Sequence, residues 1–348
     1  MNREPVAVRR PEKNTRPKLF YRGAHQATLD PLAAVRPEGD IFMWAQQYPE
    51  GDHHRMNAGV PANQANSSAA AILSYDVPHN VPWDWRVGLY TWTKSIAAGI
   101  YLVAALLVLF GAVEADATLF RWVAPIASVA FLAITGAVLV WDLEHPERFY
   151  YIFTKAHWSS WLVRGGVIIM GYGAVLSLHL LLSLFGAETA QRWLTIAGIP
   201  LATMTAVYTA FLFAQAKARD LWQNPLLPPH FAVQAGLAGS AAVLVGAAWF
   251  DTSVVDALGW VLAGTLVVHL LMILGEVTLP HGTAHAKMAA HELTSGKFAT
   301  PFRLGVVAGL VAIPLAFLLP PLAGVVALAS MLAYEHAYVQ AGQSVPLA

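Results

Sequence analysis

Ionisable and phenolic side chains lie near one end of several long apolar stretches of this chain. Tyr90 and Lys94 lie within two turns of the start of the first stretch, Asp142 closes the second, and Tyr208 lies two turns from the end of the fourth. Phenols and amines donate hydrogen bonds, and a carboxylate exchanges protons. Because each ionisable group in hydrocarbon costs roughly 2.5–3.5 kcal/mol, a one-sided cluster of this kind favours a ligand site or a proton route over packing.

Further polar residues lie at the same end of other apolar stretches. They are Arg164, Gln215, His230, Glu276, Glu335 and His336. For Lys94 or Arg164 alone, a long side chain that reaches the headgroups is an alternative explanation. The short carboxylates of Asp142, Glu276 and Glu335 do not reach water in that way. The interpretation as a ligand site or a proton route therefore depends mainly on these three residues.

The elements that position these groups are long apolar helices. The chain has 348 residues, of which 57% are hydrophobic and 12% charged, about half the charged share of a typical soluble domain. Apolar runs of about 20 residues, the length that crosses the hydrocarbon of a bilayer, occur eight times. The predicted spans are residues 88–113, 118–141, 161–185, 193–215, 231–250, 254–278, 302–319 and 321–340. The composition therefore predicts an all-α membrane protein with eight transmembrane helices and argues against a soluble enzyme.

The second and sixth spans end in the same way. Asp142 is followed four residues later by Pro146, and Glu276 is followed four residues later by Pro280. The next span of each half then begins near an arginine, Arg164 or Arg303. Four spans in each half, running in the same direction, predict two four-helix bundles in parallel repeat. The expected organisation is an extended, proline-rich N-terminal segment at 1–80, a first bundle at 81–216 with the ligand site, and a second bundle at 217–348.

The distribution of basic residues predicts the orientation. With eight spans, both termini lie on one side, and the short loops and helix ends of that terminal side contain most of the Lys and Arg. They are Lys94, Arg148, Lys155, Arg164, Lys217, Arg219, Lys287, Lys297 and Arg303, against Arg121 and Arg192 on the far side. The positive-inside rule therefore places both termini in the cytoplasm. A surface that docks another subunit would attract basic residues as well.

The sequence argues against a metal or haem centre in this protein. It contains no cysteine, which excludes thiolate zinc, iron–sulfur clusters held by this protein and covalent c-type haem. His179 and His269 would differ in membrane depth by roughly 13 Å, too far apart for two axial ligands of one haem b. The pair His281 and His285 has the i, i+4 spacing of a zinc site but lacks a third ligand.

Several motifs resemble those of the polysulfide reductase type membrane subunits known as the NrfD/PsrC family. The similar stretches are 83–86, 90–99, Asp142–Phe149, Trp158–Gly165, 208–212, 223–228 and 335–343. The resemblance covers roughly residues 81–348. The Pro-Glu-Arg-Phe and Trp-Ser-Ser-Trp sequences are fairly specific at this spacing.

The resemblance implies a haem-free, metal-free subunit of a respiratory oxidoreductase in the bacterial cytoplasmic membrane. Such a subunit exchanges electrons between a membrane quinone, menaquinone or ubiquinone, and a docked ferredoxin-like iron–sulfur subunit. That subunit usually connects to a further catalytic or haem subunit. The implied partners are these proteins and the lipid membrane, and no nucleic acid.

By position, the resemblance places quinone contacts at Tyr90, Tyr208 and either Asp142 or Glu144. Polysulfide reductase itself has histidine where this protein has Tyr90. We expect Lys94 to join the two phenols as a hydrogen-bond donor, and Arg164 to favour the ionised form of the carboxylate. A second polar set is interpreted as a proton path or a relic of the duplication. It consists of His269, Glu276, Arg303, Glu335 and His336.

Two other functions remain open at this point. A secondary transporter also fits a repeat of four plus four spans, but matched proline or glycine breaks in the middle of both halves would be expected. Only Pro125, Pro200 and Pro314 interrupt spans, and they are not matched. A passive membrane anchor without its own redox ligand is the second alternative.

Overall fold

The computed structural model describes residues 2–5, 21–22, 83–217, 219–250 and 252–345. Two short strands, Asn2–Pro5 (β1) and Tyr21–Arg22 (β2), pair antiparallel. The rest of the predicted extended segment at 1–80 lies outside the described residues. From residue 83 onward, the described part of the protein is helical with connecting turns.

The first half of the described membrane part, residues 83–217, contains five α-helices. They are Trp85–Leu109 (α1), Ala124–Trp141 (α2), Tyr151–Thr154 (α3), Trp161–Leu184 (α4) and Glu188–Ala214 (α5). A π-helix, Leu119–Val123, leads directly into α2, and a 3₁₀ turn, Pro146–Arg148, precedes α3. The side chains of Asp84 and Ser160 cap α1 and α4 by accepting hydrogen bonds from backbone N–H groups.

The second half, residues 219–345, again contains five α-helices. They are Leu227–Phe250 (α6), Val255–Thr278 (α7), Ala284–Thr294 (α8), Ala299–Leu318 (α9) and Pro320–Ser344 (α10). A 3₁₀ helix, Asp220–Gln223, lies just before α6. Only Leu319 separates α9 from α10, which agrees with the tight hairpin expected from the proline pair that follows it.

Eight of the described helical segments are long and apolar enough to cross a membrane. They are α1, the π-helix with α2, α4, α5, α6, α7, α9 and α10, which confirms the predicted multi-pass, all-α membrane fold. Helices α1 and α6 are the most deeply buried of these spans. The short helices α3 and α8 lie in the two long terminal-side connections.

Neighbouring helices form a ring within each half. In the first half, α1 packs on α2 and α5, and both of these pack on α4. In the second half, α6 packs on α7 and α10, and both of these pack on α9. The division into two separate bundles stays a prediction, because α1 also packs extensively on α6 and the membrane part forms one compact unit.

Glycines make the contact between α1 and α6 possible. A Cβ atom on Gly99 would overlap the backbone of Ala235, and one on Gly239 would overlap the backbone of Gly99. Small residues at such crossings let two helix backbones approach closely in a membrane. The polar residues before Gly99 on α1 are thereby held inside the protein.

Candidate functional site

A cavity of about 490 Å³ opens on the terminal side of the first half. Its walls come from α1, α2, α4 and α5 and from the connection that contains α3. The lining residues are Trp83, Val87, Tyr90, Gly136, Leu139, Val140, Asp142, Leu143, Glu144, Phe149, Ile152, Phe153, Leu162, Gly166, Ile169, Met170, Tyr208, Leu212 and Phe213. An apolar cavity of this size with a few polar groups is typical of a small-molecule site.

Two tyrosines form the polar part of the inner wall. The hydroxyl groups of Tyr90 and Tyr208 are hydrogen-bonded to each other. Tyr90 is also hydrogen-bonded to Oγ1 of Thr209, at 2.7 Å. Both phenols are buried and both line the cavity, so a ligand there would have two neighbouring hydroxyl groups within reach.

Buried neighbours fix the Tyr208 ring in place. Gly165 on α4 lies against the ring, and a Cβ atom at this position would overlap it. The Nζ atom of Lys94 lies 5.4 Å from the centre of the same ring and donates a hydrogen bond to the backbone carbonyl of Ala206. Lys94 is fully buried but does not line the cavity. The Nζ atom also lies 4.6 Å from the centre of the Phe231 ring, so the amino group of Lys94 packs against aromatic rings.

The carboxylate at the cavity mouth is paired with an arginine. Asp142 lies just beyond the C-terminus of α2, and its Oδ1 is 3.3 Å from Nε of Arg86. Burial raises the pKa of Asp142, while the positive charge of Arg86 opposes this rise. Arg86 is itself fixed, because Nε donates to Asp84 and Nη1 donates to the backbone carbonyl of Trp141 at 2.9 Å. Asp142 thus combines exposure to the cavity with a pKa above that of a free aspartate.

The other predicted members of the first site are placed differently. Glu144 lines the cavity but is exposed. Arg164 is not among the lining residues: Nε donates to the backbone carbonyl of Trp158 at 2.7 Å, and the guanidinium lies 4.9 Å from the centre of the Trp161 ring. The charge expected from Arg164 beside the carboxylate is supplied by Arg86.

The five residues of the second predicted set do not lie at one location. His269 and Glu276 belong to a buried hydrogen-bonded cluster with His230 and Tyr334. Glu335 is buried on α10, where it interacts with Thr91 and Lys94 of α1. Arg303 is bound to the backbone carbonyl of Thr294, and His336 is half-buried on α10. The structure therefore does not bring these five residues together as one path.

Sequence reasoning missed several residues that shape both regions. Thr209, Arg86 and Gly165 organise the first cavity, and Tyr334 joins the buried cluster. The sequence does carry a signal for Thr209 and Tyr334, since each is adjacent to a residue already singled out. Gly165 is likewise adjacent to Arg164, but its role could not be predicted, because what it contacts depends on how α4 and α5 pack.

Metal binding has no support within the described residues. No group of three or more His, Cys, Asp or Glu side chains there is arranged to hold a metal ion. His281 and His285 lie at and near the start of α8, and burial lowers the pKa of each. Among the residues that the structure describes, neither ring nitrogen of His285 has a hydrogen-bond partner.

Comparison with known proteins gives one consistent result. The family model described as polysulphide reductase, NrfD, matches residues 75–339. The sequence is 30% identical over 195 residues to protein NrfD of Escherichia coli, and this alignment includes 48% of the present protein and 59% of that relative. It is 26% identical over 190 residues to a putative dimethyl sulfoxide reductase membrane subunit of Halobacterium salinarum, and this alignment includes 46% of the present protein and 44% of that relative.

A third relative aligns over a longer stretch. It is a polysulfide reductase protein of Wolinella succinogenes, 26% identical over 268 residues, which include 68% of the present protein and 82% of that relative. The match to the Escherichia coli and Halobacterium salinarum proteins spans only about half the length of each. Two of these relatives, protein NrfD and the polysulfide reductase protein, carry the names in the description of the family model that matches most of the sequence.

Proposed function

The protein belongs to the polysulphide reductase NrfD family, and we propose that it is the quinone-reactive membrane subunit of a respiratory oxidoreductase. In this role it passes electrons between a membrane quinone and a docked iron–sulfur subunit, and it is not catalytic alone. The complex also includes a further catalytic or haem subunit. The observation that carries the proposal is the single cavity onto which Tyr90, Tyr208 and Asp142 all open.

The cavity suits the head group of menaquinone or ubiquinone. Its apolar walls match an aromatic ring, while the paired phenols can donate a hydrogen bond to one carbonyl oxygen. Four of the helices that line the cavity are long and apolar enough to span a membrane, which supports entry of a lipid-soluble quinone from the hydrocarbon. The terminal-side connection between α2 and α4 lines the same cavity. An iron–sulfur subunit docked on that connection would therefore be near the quinone ring.

Proton exchange accompanies the electron transfer. Oxidation of a quinol to a quinone releases two electrons and two protons. In our proposal the electrons leave to the iron–sulfur subunit. The ionised carboxylate of Asp142 accepts one proton from a quinol hydroxyl, releases it to solvent, and then accepts the second proton. Arg86 stabilises that ionised form. Reduction of a quinone would use the same groups in reverse, with protonated Asp142 as the donor.

A matched pair of tyrosine variants tests quinone binding. We expect Tyr208→Phe to weaken binding of a quinone analogue to the purified complex about 3- to 10-fold, the effect of losing one hydrogen bond of roughly 0.5–1.5 kcal/mol. Tyr172→Phe is the control, because this buried hydroxyl donates to the backbone carbonyl of Ala97 and does not line the cavity. Equal affinities for the two variants and the wild type would contradict the proposal.

The Arg86 contact predicts a change in pH dependence. Arg86 lowers the pKa of Asp142, so Arg86→Gln should raise that pKa and leave the carboxylate protonated up to a higher pH. Quinol oxidation needs the ionised form, so the acid side of its pH profile should move to higher pH. Arg148→Gln provides the control, since Arg148 is exposed and pairs with Glu147 instead. A shift to lower pH, or the same shift in both variants, would exclude this role of Arg86.

A further inference from the structure

A second polar cluster lies in the second half, away from the quinone cavity. Glu276 of α7 has both carboxylate oxygens occupied: Oε1 is 3.1 Å from Nδ1 of His230, and Oε2 accepts from the hydroxyl of Tyr334 at 2.6 Å. On the other side of the ring, Nε2 of His230 is 2.7 Å from Nδ1 of His269. All four residues are buried. Two histidines and a carboxylate are thus connected in an unbroken series.

The cluster occupies the positions of the first-half site. Tyr90 and His230 both lie near the start of the first span of their half, and they are 140 residues apart. The same separation relates Gly99 to Gly239, the two glycines at the contact between these helices. The second span of each half ends at an acid, Asp142 or Glu276, and the fourth contributes Tyr208 or Tyr334. The two clusters therefore correspond position by position, as expected for a duplicated four-helix unit.

The two clusters differ in what their carboxylates contact. Asp142 is half-buried and opens onto a largely apolar cavity, whereas Glu276 is held on both oxygens by protein side chains. The cavity of about 550 Å³ that Glu276 lines lies among the terminal-side loops and has several polar side chains in an otherwise apolar lining. Its polar lining includes Asp220, Gln223, Asn224, His281 and Thr283. A cavity of this size with several polar partners has room for water, and each Glu276 oxygen keeps a second acceptor site through which that water can reach it.

We propose that the second-half cluster is a diverged copy of the first-half cluster and that it exchanges protons with water in the cavity among the terminal-side loops. Glu276 takes a proton from the cavity and passes it to Nδ1 of His230. The proton on Nε2 of His230 moves to Nδ1 of His269, so each imidazole gains one proton as it gives one up. Within the described residues, Nε2 of His269 has no hydrogen-bond partner, which leaves it able to release a proton further inside the membrane.

Several titratable groups surround the cluster and will influence its proton affinity. Those that interact with Glu276 or His230 from neighbouring elements are His269, His281, Tyr334, Glu335 and Tyr338. Asp220 lines the same cavity, and Lys287 interacts with His281. Glu335 also interacts with Lys94 of α1, so a change of charge in the second half alters the electrostatic environment of this first-half helix.

Infrared difference spectroscopy of the intact complex tests this inference. We expect a carboxylic acid C=O band that changes with pH, shifts when H₂O is replaced by D₂O, and disappears in Glu276→Gln. Tyr334→Phe should shift this band because the carboxyl loses its donated hydrogen bond. Tyr172→Phe is the matched control, since this buried tyrosine of α4 in the first half donates to the backbone carbonyl of Ala97.

Several results would overturn the inference. They are a Glu276 band that is absent at every pH, a band that does not change with pH, and a band that does not respond to D₂O. If Glu276→Gln fails to assemble, an unchanged band in Tyr334→Phe has the same consequence. The measurement needs no quinone, so a failure of the quinone proposal would leave this test valid, and the reverse also holds.

Discussion

Replacing Asp142 with asparagine should lower quinone turnover of the intact complex about 100-fold, at the lower limit of what a positioned proton-transfer group contributes. Asparagine keeps the size of the side chain and a hydrogen-bonding oxygen, but it cannot accept a proton at neutral pH. Asp142 is the half-buried acid of the cavity, and burial raises its pKa toward the range that suits proton exchange. Binding of a quinone analogue should change much less than turnover, because the cavity walls remain.

Glu144→Gln is the matched control for this prediction. Glu144 lines the same cavity but is exposed, so solvent can replace it as a proton acceptor. We expect its turnover to stay within about 3-fold of the wild type, well below the range for a positioned acid or base. Wild-type turnover in both Asp142→Asn and Glu144→Gln would leave a passive anchor or a secondary transporter as the remaining functions. A large loss in Glu144→Gln alone would move the proton-exchanging role to that residue.

The second large effect is expected for Gly165→Val. The added side chain would overlap the ring of Tyr208 and push it away from Tyr90 and Thr209. A displacement of about 1 Å of a group that positions the substrate can cost roughly 100-fold in rate. We therefore expect a loss of turnover of about 10- to 100-fold, together with weaker binding of the quinone analogue.

Gly171→Ala on the same helix separates this effect from general damage to α4. A Cβ atom at Gly171 would meet only the side chain of Leu201, at 3.6 Å, an ordinary packing distance. Near-normal turnover in Gly171→Ala, with similar amounts of both variants in purified complexes, would assign the loss to Tyr208. Wild-type turnover in Gly165→Val would show that the placement of the Tyr208 ring is not needed for the reaction.

The eight spans could be predicted because hydrocarbon imposes a length and a composition on each helix. Their ends were less accurate: α6 begins at Leu227 rather than residue 231, and α5 begins at Glu188 rather than residue 193. In both cases the first helical turns are polar or contain proline, as suits the interface region. Hydropathy alone does not predict helical turns that form in the interface region.

Membrane depth predicted part of the candidate site, because residues at one depth on adjacent helices can meet. Tyr90, Tyr208 and Asp142 share a predicted depth, and all three line one cavity. Depth does not specify which face of a helix a residue occupies or where a long side chain bends. Two residues illustrate this limit. Arg164 donates a hydrogen bond to the backbone carbonyl of Trp158, and Lys94 packs against the ring of Tyr208 without lining the cavity.

The most direct test of the quinone assignment is to locate the quinone in the intact complex. A photoreactive quinone analogue, followed by peptide mapping, should label residues that line the first-half cavity, within 83–90, 136–153, 162–170 or 208–213. Excess quinone should prevent that labelling. Protected labelling found only in the second half or on a partner subunit would contradict the assignment of the quinone site to this cavity.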